Sequence, residues 1–200
     1  LPLVGSGSTW LTLTVAGLAM GTIVFIVASG LTLVFGLMDV LNFGHGVFLA
    51  LGAYVAVSSF GAMAGYAASP SLAMNLVAVF AAIGIAMLAA GALGLAFERV
   101  VVKPVYGHHL KQILITMGGM IVGEELIKLV WGPVPIALPL PETLRGSFVI
   151  GEAIVEKFRV LATVIGAVVF VVLAWVLART KLGLLIRAGV QDREMVESLG

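Results

Sequence analysis

The sequence predicts an all-α membrane protein, a polytopic bundle of transmembrane helices with about five spans in its 200 residues. Hydrophobic residues make up 61% of the chain and charged residues 10%, whereas soluble domains are about 45–50% apolar and about 25% charged. No residue from Leu1 to Met38 carries a formal charge, and long charge-free runs are typical of membrane helices, which need about 20 mostly apolar residues. We expect the chain to be truncated at its C-terminus, within a charged segment.

Three spans are predicted in the first half of the chain. The first lies within Trp10 to Phe35, the second runs from about Val47 to Gly65, and the third runs from about Leu72 to Phe97. Residues 69–71, Ser-Pro-Ser, predict the break between the second and third spans, because proline and serine favour turns. A GxxxG pair at residues 17–21 is typical of a close helix crossing, although the high glycine content alone also explains it.

Two further spans are predicted in the second half. Residues 98–111 are expected to form a polar cytoplasmic loop, followed by a fourth span from about Gln112 to Trp131. Residues 132–158 are predicted to form an external proline-rich loop, since the four prolines that follow Trp131 exclude a regular helix. The fifth span is Val160 to Ala178, and residues 180–200 are predicted to form a second cytoplasmic loop.

The counts of lysine and arginine predict the orientation. If residues 180–200 are cytoplasmic, their side of the membrane also holds residues 98–111 and carries seven Lys and Arg residues, against four on the other side. Cytoplasmic segments are enriched in these residues. The orientation therefore places residues 36–46 at the cytoplasmic end of the first two spans, or folded back between them.

Several classes of function lack their motifs. The 200 residues contain no cysteine, which excludes thiolate metal sites and thiol nucleophiles, and they contain no P-loop, HExxH or GxSxG motif. A net charge of +1 gives no indication of nucleic-acid binding. His108 and His109 are adjacent but have no evident third metal ligand. We expect the chain itself to have no enzymatic activity and to bind no metal or cofactor.

Residues 36–46, GLMDVLNFGHG, interrupt the apolar sequence with polar residues and glycines. These residue types disfavour helix interiors, so the first span is expected to end near Leu37 and a new helix to begin between Asn42 and Gly46. Asn42 is a candidate cap for the new helix. Two interpretations stay open: a hinge or translocation path, or a tight turn in which His45 bonds a backbone carbonyl. The candidate site residues are Asp39, Asn42, Gly44, His45 and Gly46.

The fourth span contains Glu124, Glu125 and Lys128. Ionisable residues inside a membrane span are candidates for function. The lysine lies four and three residues after the two glutamates, a spacing that allows pairing on a helix. We favour a self-neutralised cluster at the outer interface, because Trp131 follows directly and tryptophan is enriched there.

Residues 30–56 resemble the permease subunits of ABC importers for branched-chain amino acids. That family has an Asn-aromatic-small-His-Gly core followed by Leu-Gly-Ala/Ser-Tyr, and the matching positions are Asn42, Phe43, Gly44, His45, Gly46, Gly52, Ala53 and Tyr54. Residues 97–105 are similar to the family's Glu-Arg-x-x-x-x-Pro loop, and residues 180–200 to its cytoplasmic loop. The resemblance covers nearly the whole chain in the same order, so residues 1–200 are interpreted as part of a single transmembrane permease domain.

The resemblance implies a multi-pass protein of the bacterial inner membrane and an importer with several subunits. The implied partners are a second permease subunit, two ABC ATPase subunits that bind ATP, an external solute-binding protein and membrane lipid, without nucleic acid. Residues 180–200 would dock the ATPase. The docking candidates are Arg187, Asp192, Glu194, Met195, Val196, Leu199 and Gly200.

Two other functions remain open at this point. A related permease for urea or short amides carries a very similar Asn-x-x-His-Gly core. A channel or secondary transporter would work without ATPase subunits, and it is expected to repeat ionisable pairs in several spans.

Overall fold

A computed structural model of the chain describes residues 5–38 and 42–191. Within these residues the chain forms seven α-helices and one two-stranded antiparallel sheet. The helices are α1 (Gly7–Met38), α2 (His45–Ala62), α3 (Ala64–Ala67), α4 (Leu72–Phe97), α5 (His109–Trp131), α6 (Lys157–Arg179) and α7 (Lys181–Gln191). The strands are β1 (Ser147–Ile150) and β2 (Ala153–Glu156).

In the described part of the chain, four helices are long and apolar enough to cross a membrane: α1, α2, α4 with its continuation to Val105, and α6. The prediction of a polytopic helical bundle is therefore confirmed. Helix α5 coincides with the predicted fourth span and is 23 residues long. It is less apolar because it carries two acidic and two basic residues. The helix that ends at Val105 has 34 residues, so at about 1.5 Å per residue it extends beyond a hydrocarbon core of about 30 Å.

One compact unit contains α2 to α5. Its core lies between α2 and α4, where Phe60 packs against Ala78 and Ala82. Small residues let membrane helices approach closely. The start of α2 lies beside Thr116 in the first half of α5, and Ser58 near its end bonds Trp131 at the end of α5. These two helices therefore run in the same direction, as the predicted topology requires for its second and fourth spans.

The predicted loop of residues 98–111 is largely helical, which corrects that prediction. Helix α4 continues as a π-helix, Glu98–Val102, and then as a 3-10 helix, Lys103–Val105. Pro104 fits because it lies in the first turn of the short 3-10 helix, where no intrahelical partner is needed for its missing N–H. The hydroxyl of Tyr106 donates to Oε1 of Glu98 at 2.7 Å, so two polar side chains of this segment bond each other.

The other unit contains α1, the hairpin, α6 and α7. The hairpin of β1 and β2 falls within the predicted 132–158 loop, and that loop is therefore only partly irregular. Gly151 adopts a φ of 63° in the two-residue turn, a conformation that glycine tolerates best. Ala153 and Val155 are buried and alternate with exposed residues, as in a half-buried strand. The segment 132–141 is irregular, as the prolines predict.

Helices α1 and α6 pack closely, because Gly166 leaves room for the side chain of Thr22. Helix α6 ends before Thr180, and the predicted loop 180–200 begins as helix α7 instead. A Cβ on Gly183 would collide with the backbone oxygens of Val176 and Leu177. Glycine at this position therefore allows α7 to fold back tightly against the end of α6.

Candidate functional site

Residues 42–44 are not helical and directly precede α2, so the predicted break before a new helix is confirmed. Helix α1 ends at Met38 and α2 begins at His45. The side-chain Oδ1 of Asn42 accepts a hydrogen bond from the N–H of Gly44 at 3.0 Å, and the backbone oxygen of Asn42 accepts one from the N–H of His45 at 3.1 Å. Asn42 therefore shapes the turn before the helix.

The predicted capping role of Asn42 is wrong. The N-cap residue of α2 is Gly44, and it makes no side-chain cap bond. Asparagine readily bonds the backbone two residues further on. Here the side-chain oxygen of Asn42 accepts from Gly44, which precedes the first turn of α2.

Two glycines of the stretch have different surroundings. A Cβ on Gly44 would lie 3.1 Å from Oδ1 of Asn42 and 3.8 Å from the backbone oxygen of Thr116, so this buried residue seats the start of α2 on α5. Gly46 is exposed, and a Cβ there would meet nothing within 4 Å. Of these two glycines, only Gly44 has close neighbours among the described residues.

Two buried side-chain atoms near this contact have no hydrogen-bond partner in the part of the chain that the structure describes: Nε2 of His45 and Oε1 of Gln112. Gln112 is only 3% exposed. Thr116, one turn later in α5, is fully buried and its hydroxyl donates to the backbone oxygen of Gln112 at 2.8 Å. Buried polar groups without partners are rare and costly, which makes this pair notable.

A cavity of about 810 Å³ opens beside the same contact. Its walls come from α2, α4, the π-helix and α5, and they include Gly44, Phe48, Leu51, Phe97, Ile115 and Gly119. The rings of Phe48 and Phe97 meet edge to face, with centroids 5.5 Å apart. The lining is almost wholly apolar, and neither His45 nor Gln112 is part of it.

Glycines of α5 receive side chains from the neighbouring helices. A Cβ on Gly119 would lie 2.5 Å from the ring of Phe97, and a Cβ on Gly123 would lie 2.5 Å from a methyl group of Val47. These two glycines are four residues apart, which is the spacing of a close helix crossing in membranes. They bring α2 and α4 against α5 and so define the shape of the cavity.

The other ionisable cluster lies near the far end of α5. Nζ of Lys128 lies 2.6 Å from Oε1 of Glu125, and both side chains are largely exposed. Trp131 donates from Nε1 to the hydroxyl of Ser58 at 2.8 Å and packs against Tyr54. This geometry supports a self-neutralised pair beside an aromatic anchor, and exposed pairs of this kind contribute little to stability.

Of the other predicted site residues, only Arg187 lies within the part of the chain that the structure describes. Arg187 is exposed on α7. Asp39 and the docking candidates Asp192, Glu194, Met195, Val196, Leu199 and Gly200 lie outside the described residues.

Gln112 and Thr116 were not predicted as site residues, although Thr116 lies beside Gly44 and its hydroxyl bonds the backbone oxygen of Gln112. Gln112 was assigned only as the start of a span. The available signal was its amide, a polar group that needs a partner when a span buries it. The position of Gln112 in the sequence does not show which helix packs against its side chain.

Comparisons with known proteins identify the family. The family model described as branched-chain amino acid transport system / permease component matches residues 13–200. The high-affinity branched-chain amino acid transport system permease protein BraD of Pseudomonas aeruginosa is 28% identical over 192 residues, covering 93% of this chain and 61% of BraD. The high-affinity branched-chain amino acid transport system permease protein LivH of Escherichia coli K12 is also 28% identical, covering 92% of this chain and 60% of LivH. No solved structure is significantly similar.

The chain thus spans about three fifths of the length of these curated relatives. Its apolar helices and its bacterial relatives assign it to the bacterial inner membrane as a multi-pass protein. The resemblance recognised from the Asn-x-x-His-Gly core is confirmed, and the chain belongs to the family of branched-chain amino acid transport system permease components.

Proposed function

We propose that the protein containing this chain is the permease subunit of an ATP-driven ABC importer that moves branched-chain amino acids across the inner membrane. The observation that carries the proposal is the family match over residues 13–200, which includes every helix that packs around the candidate site. The names of BraD and LivH favour branched-chain amino acids over urea or short amides as the substrate.

The proposed partners are a second permease subunit, two ABC ATPase subunits and an external solute-binding protein. The 200 residues contain no P-loop motif, so ATP would be bound by the partners. We assign the ATPase contact to residues 191–200, at and after the end of α7, with Arg187 on the same helix. An enzymatic activity of the chain itself is not part of this proposal.

The candidate site would serve transport as a hinge or as part of the path. The turn at Asn42 and the contact between Gly44 and α5 determine where α2 begins. A shift of this contact would move α2 relative to α5 and reshape the cavity between them. We assign this role to Asn42, Gly44 and His45, whereas the exposed Gly46 would contribute flexibility.

Purification of the full-length protein with its complex tests the proposal. The tagged protein is extracted from membranes in mild detergent, and bound proteins are identified by mass spectrometry. Proteoliposomes then measure uptake of radiolabelled leucine and of urea, with and without ATP and the binding protein. A co-purified P-loop ATPase and ATP-dependent leucine uptake would support the proposal. Absence of an ATPase, or leucine uptake independent of ATP, would refute it in favour of a channel or secondary transporter.

A further inference from the structure

The hairpin of β1 and β2 exposes large apolar side chains. Four residues of its two short strands are large, apolar and at least half exposed: Phe148, Val149, Ile150 and Ile154. Val149 and Ile154 lie directly opposite each other in the register and are 72% and 59% exposed, so they form an exposed cross-strand pair on one face. Contiguous exposed apolar surface marks an interaction site, and a two-stranded hairpin alone is only marginally stable in water.

The hairpin is held at the start of α6. The backbone N–H of Lys157, the first residue of α6, donates to the backbone oxygen of Gly146 at 3.2 Å, and Nζ of Lys157 lies 5.6 Å from the ring centroid of Phe148. The buried side chains of Ala153 and Val155 belong to β2, which packs against α1 and α6. The depth of the hairpin in the membrane therefore follows from the positions of these two helices.

Helix α6 indicates where the hydrocarbon ends. Residues 160–178, between Arg159 and Arg179, carry no charge. At about 1.5 Å per residue they span about 28 Å, close to the hydrocarbon thickness of about 30 Å. Charged side chains are costly inside the hydrocarbon, so its boundary lies close to Arg159, whose Nε is 2.9 Å from Oε2 of Glu156. The hairpin ends at Glu156 and therefore begins directly outside the hydrocarbon.

Helices α1 and α6 run in the same direction, which allows their levels to be compared. Gly166 meets the side chain of Thr22, and further along both helices the rings of Phe25 and Phe170 meet with centroids 5.2 Å apart. Distances along the two helices can therefore be measured from the contact between Thr22 and Gly166.

Trp10 on α1 gives an independent estimate of the depth. It lies 12 residues before Thr22, about 18 Å along the helix, whereas Arg159 lies seven residues before Gly166, about 10 Å. Trp10 is therefore about 7 Å further out than Arg159. The head-group region is about 5–8 Å thick on each side, and tryptophan is enriched there. Strand β2, which packs against α1 just beyond the start of α6, lies at this level.

The backbone of the hairpin limits how deep it can lie. Each strand of a two-stranded sheet has one edge whose N–H and C=O groups have no partner strand. Such groups cannot be satisfied in hydrocarbon, whereas the hydrated head-group region supplies partners for them. The strands therefore fit the head-group region, and only their side chains can reach the acyl chains.

We propose that the hairpin binds the bilayer surface, with its strands in the head-group region and the pair of Val149 and Ile154 against the ends of the acyl chains nearest the head groups. The partner of this surface is membrane lipid. Burial of the pair anchors the hairpin at the start of α6 and fixes the depth of that helix. The proposal concerns the bilayer and does not depend on the substrate or on an ATPase.

Spin labelling tests the depth, since these 200 residues contain no cysteine to replace. The full-length protein, with any cysteine elsewhere changed to serine and with any subunits that co-purify, is reconstituted in liposomes of phosphatidylethanolamine and phosphatidylglycerol. A nitroxide on Val149→Cys is compared with one on Glu152→Cys, in the exposed turn, and one on Val171→Cys, 63% exposed near the middle of α6. Power saturation measures collisions with oxygen, which concentrates in the bilayer, and with a nickel chelate, which stays in water.

The ratio of oxygen to nickel collisions at Val149→Cys should be several-fold higher than at Glu152→Cys and lower than at Val171→Cys. A ratio equal to that at Glu152→Cys would place the hairpin in water, and few collisions with either reagent would show that a protein partner covers it. A ratio equal to that at Val171→Cys would place it in the hydrocarbon. Each of these three results would overturn the proposal.

A charge on one member of the pair tests whether the pair is the anchor. With the nitroxide on Ile154→Cys, Val149→Asp should lower the ratio several-fold, because the carboxylate draws this face of the hairpin towards water. Val149→Leu, which keeps the position apolar, is the matched control and should leave the ratio unchanged. An unchanged ratio in Val149→Asp, or an equal fall in Val149→Leu, would overturn the role of the pair.

Discussion

Asn75 and Thr143 are joined by two hydrogen bonds across 68 residues of sequence. Oδ1 of Asn75 accepts from the backbone N–H of Thr143 at 2.8 Å and from its hydroxyl at 2.7 Å. Nδ2 of the same buried side chain donates to backbone oxygens of the preceding turn, including those of Tyr66 and Ser69. One amide therefore links the start of α4 to the chain around the end of α3 and to the short 3-10 helix, Glu142–Leu144, within the proline-rich loop.

Asn75→Ala should lower the free energy of unfolding by about 3 kcal/mol or more, because it leaves several buried donors and acceptors without partners. Thr143→Val is the matched control. It removes only one hydroxyl of the same cluster, so its effect should be about 1 kcal/mol. Thermal unfolding of the full-length protein in detergent compares them. Equal losses of stability in the two variants would show that the Asn75 amide contributes no more to stability than the Thr143 hydroxyl.

Gly119→Ala and Gly123→Ala should each destabilise the protein by about 1–3 kcal/mol, because the new methyl groups overlap the ring of Phe97 and the side chain of Val47. Gly118→Ala, adjacent in sequence and with no atom within 4 Å of its Cβ, should be neutral or slightly stabilising. The same unfolding measurement applies. A Gly118→Ala variant as unstable as Gly119→Ala would contradict the packing described for α5.

His45→Ala should reduce leucine uptake and the coupling of ATP hydrolysis to it, since it removes a buried group at the start of α2. His109→Ala, an exposed substitution of the same type, should leave both unchanged. Proteoliposomes containing the complete complex provide both readouts. Normal uptake and coupling in His45→Ala would remove this residue from the hinge or path.

Gly183→Ala should displace α7, because the obstructing atoms are backbone oxygens and no side-chain rotation relieves the collision. Since α7 leads into the proposed docking segment, less ATPase should co-purify with this variant. Gly17→Ala, on α1 and with no atom within 4 Å of its Cβ, is the control and should retain the ATPase. Equal recovery of ATPase with both variants would show that the orientation of α7 does not affect docking.

The membrane helices were predictable because a long apolar run has few ways to satisfy its backbone in lipid. The break between α1 and α2 followed from residues that disfavour helix interiors. The hairpin was not predictable to the same degree, since four-residue strands show only two periods of alternation and lie within a segment rich in turn residues.

Glycine patterns show a second limit of the sequence. The pair Gly17 and Gly21 has the spacing of a helix crossing, yet neither would bring a Cβ within 4 Å of a described neighbour. Gly119 and Gly123 have the same spacing and do receive side chains. Spacing identifies a surface that can be approached closely, but the partner depends on how the helices assemble. The unpaired amide of Gln112 escaped prediction for the same reason.

In an ordinary α-helix, length and the direction of the side chains change together with each added residue. The π-helix after α4 changes the direction with little change in length. Each residue of an α-helix adds about 1.5 Å of length and about 100° of rotation. A wider turn at Glu98–Val102 accommodates an extra residue, so the following side chains are rotated without an added turn. With this rotation, Val102 is buried and the hydroxyl of Tyr106 donates a hydrogen bond to Glu98. Deleting one residue here would leave the helix almost as long but turn its polar end towards a different neighbour.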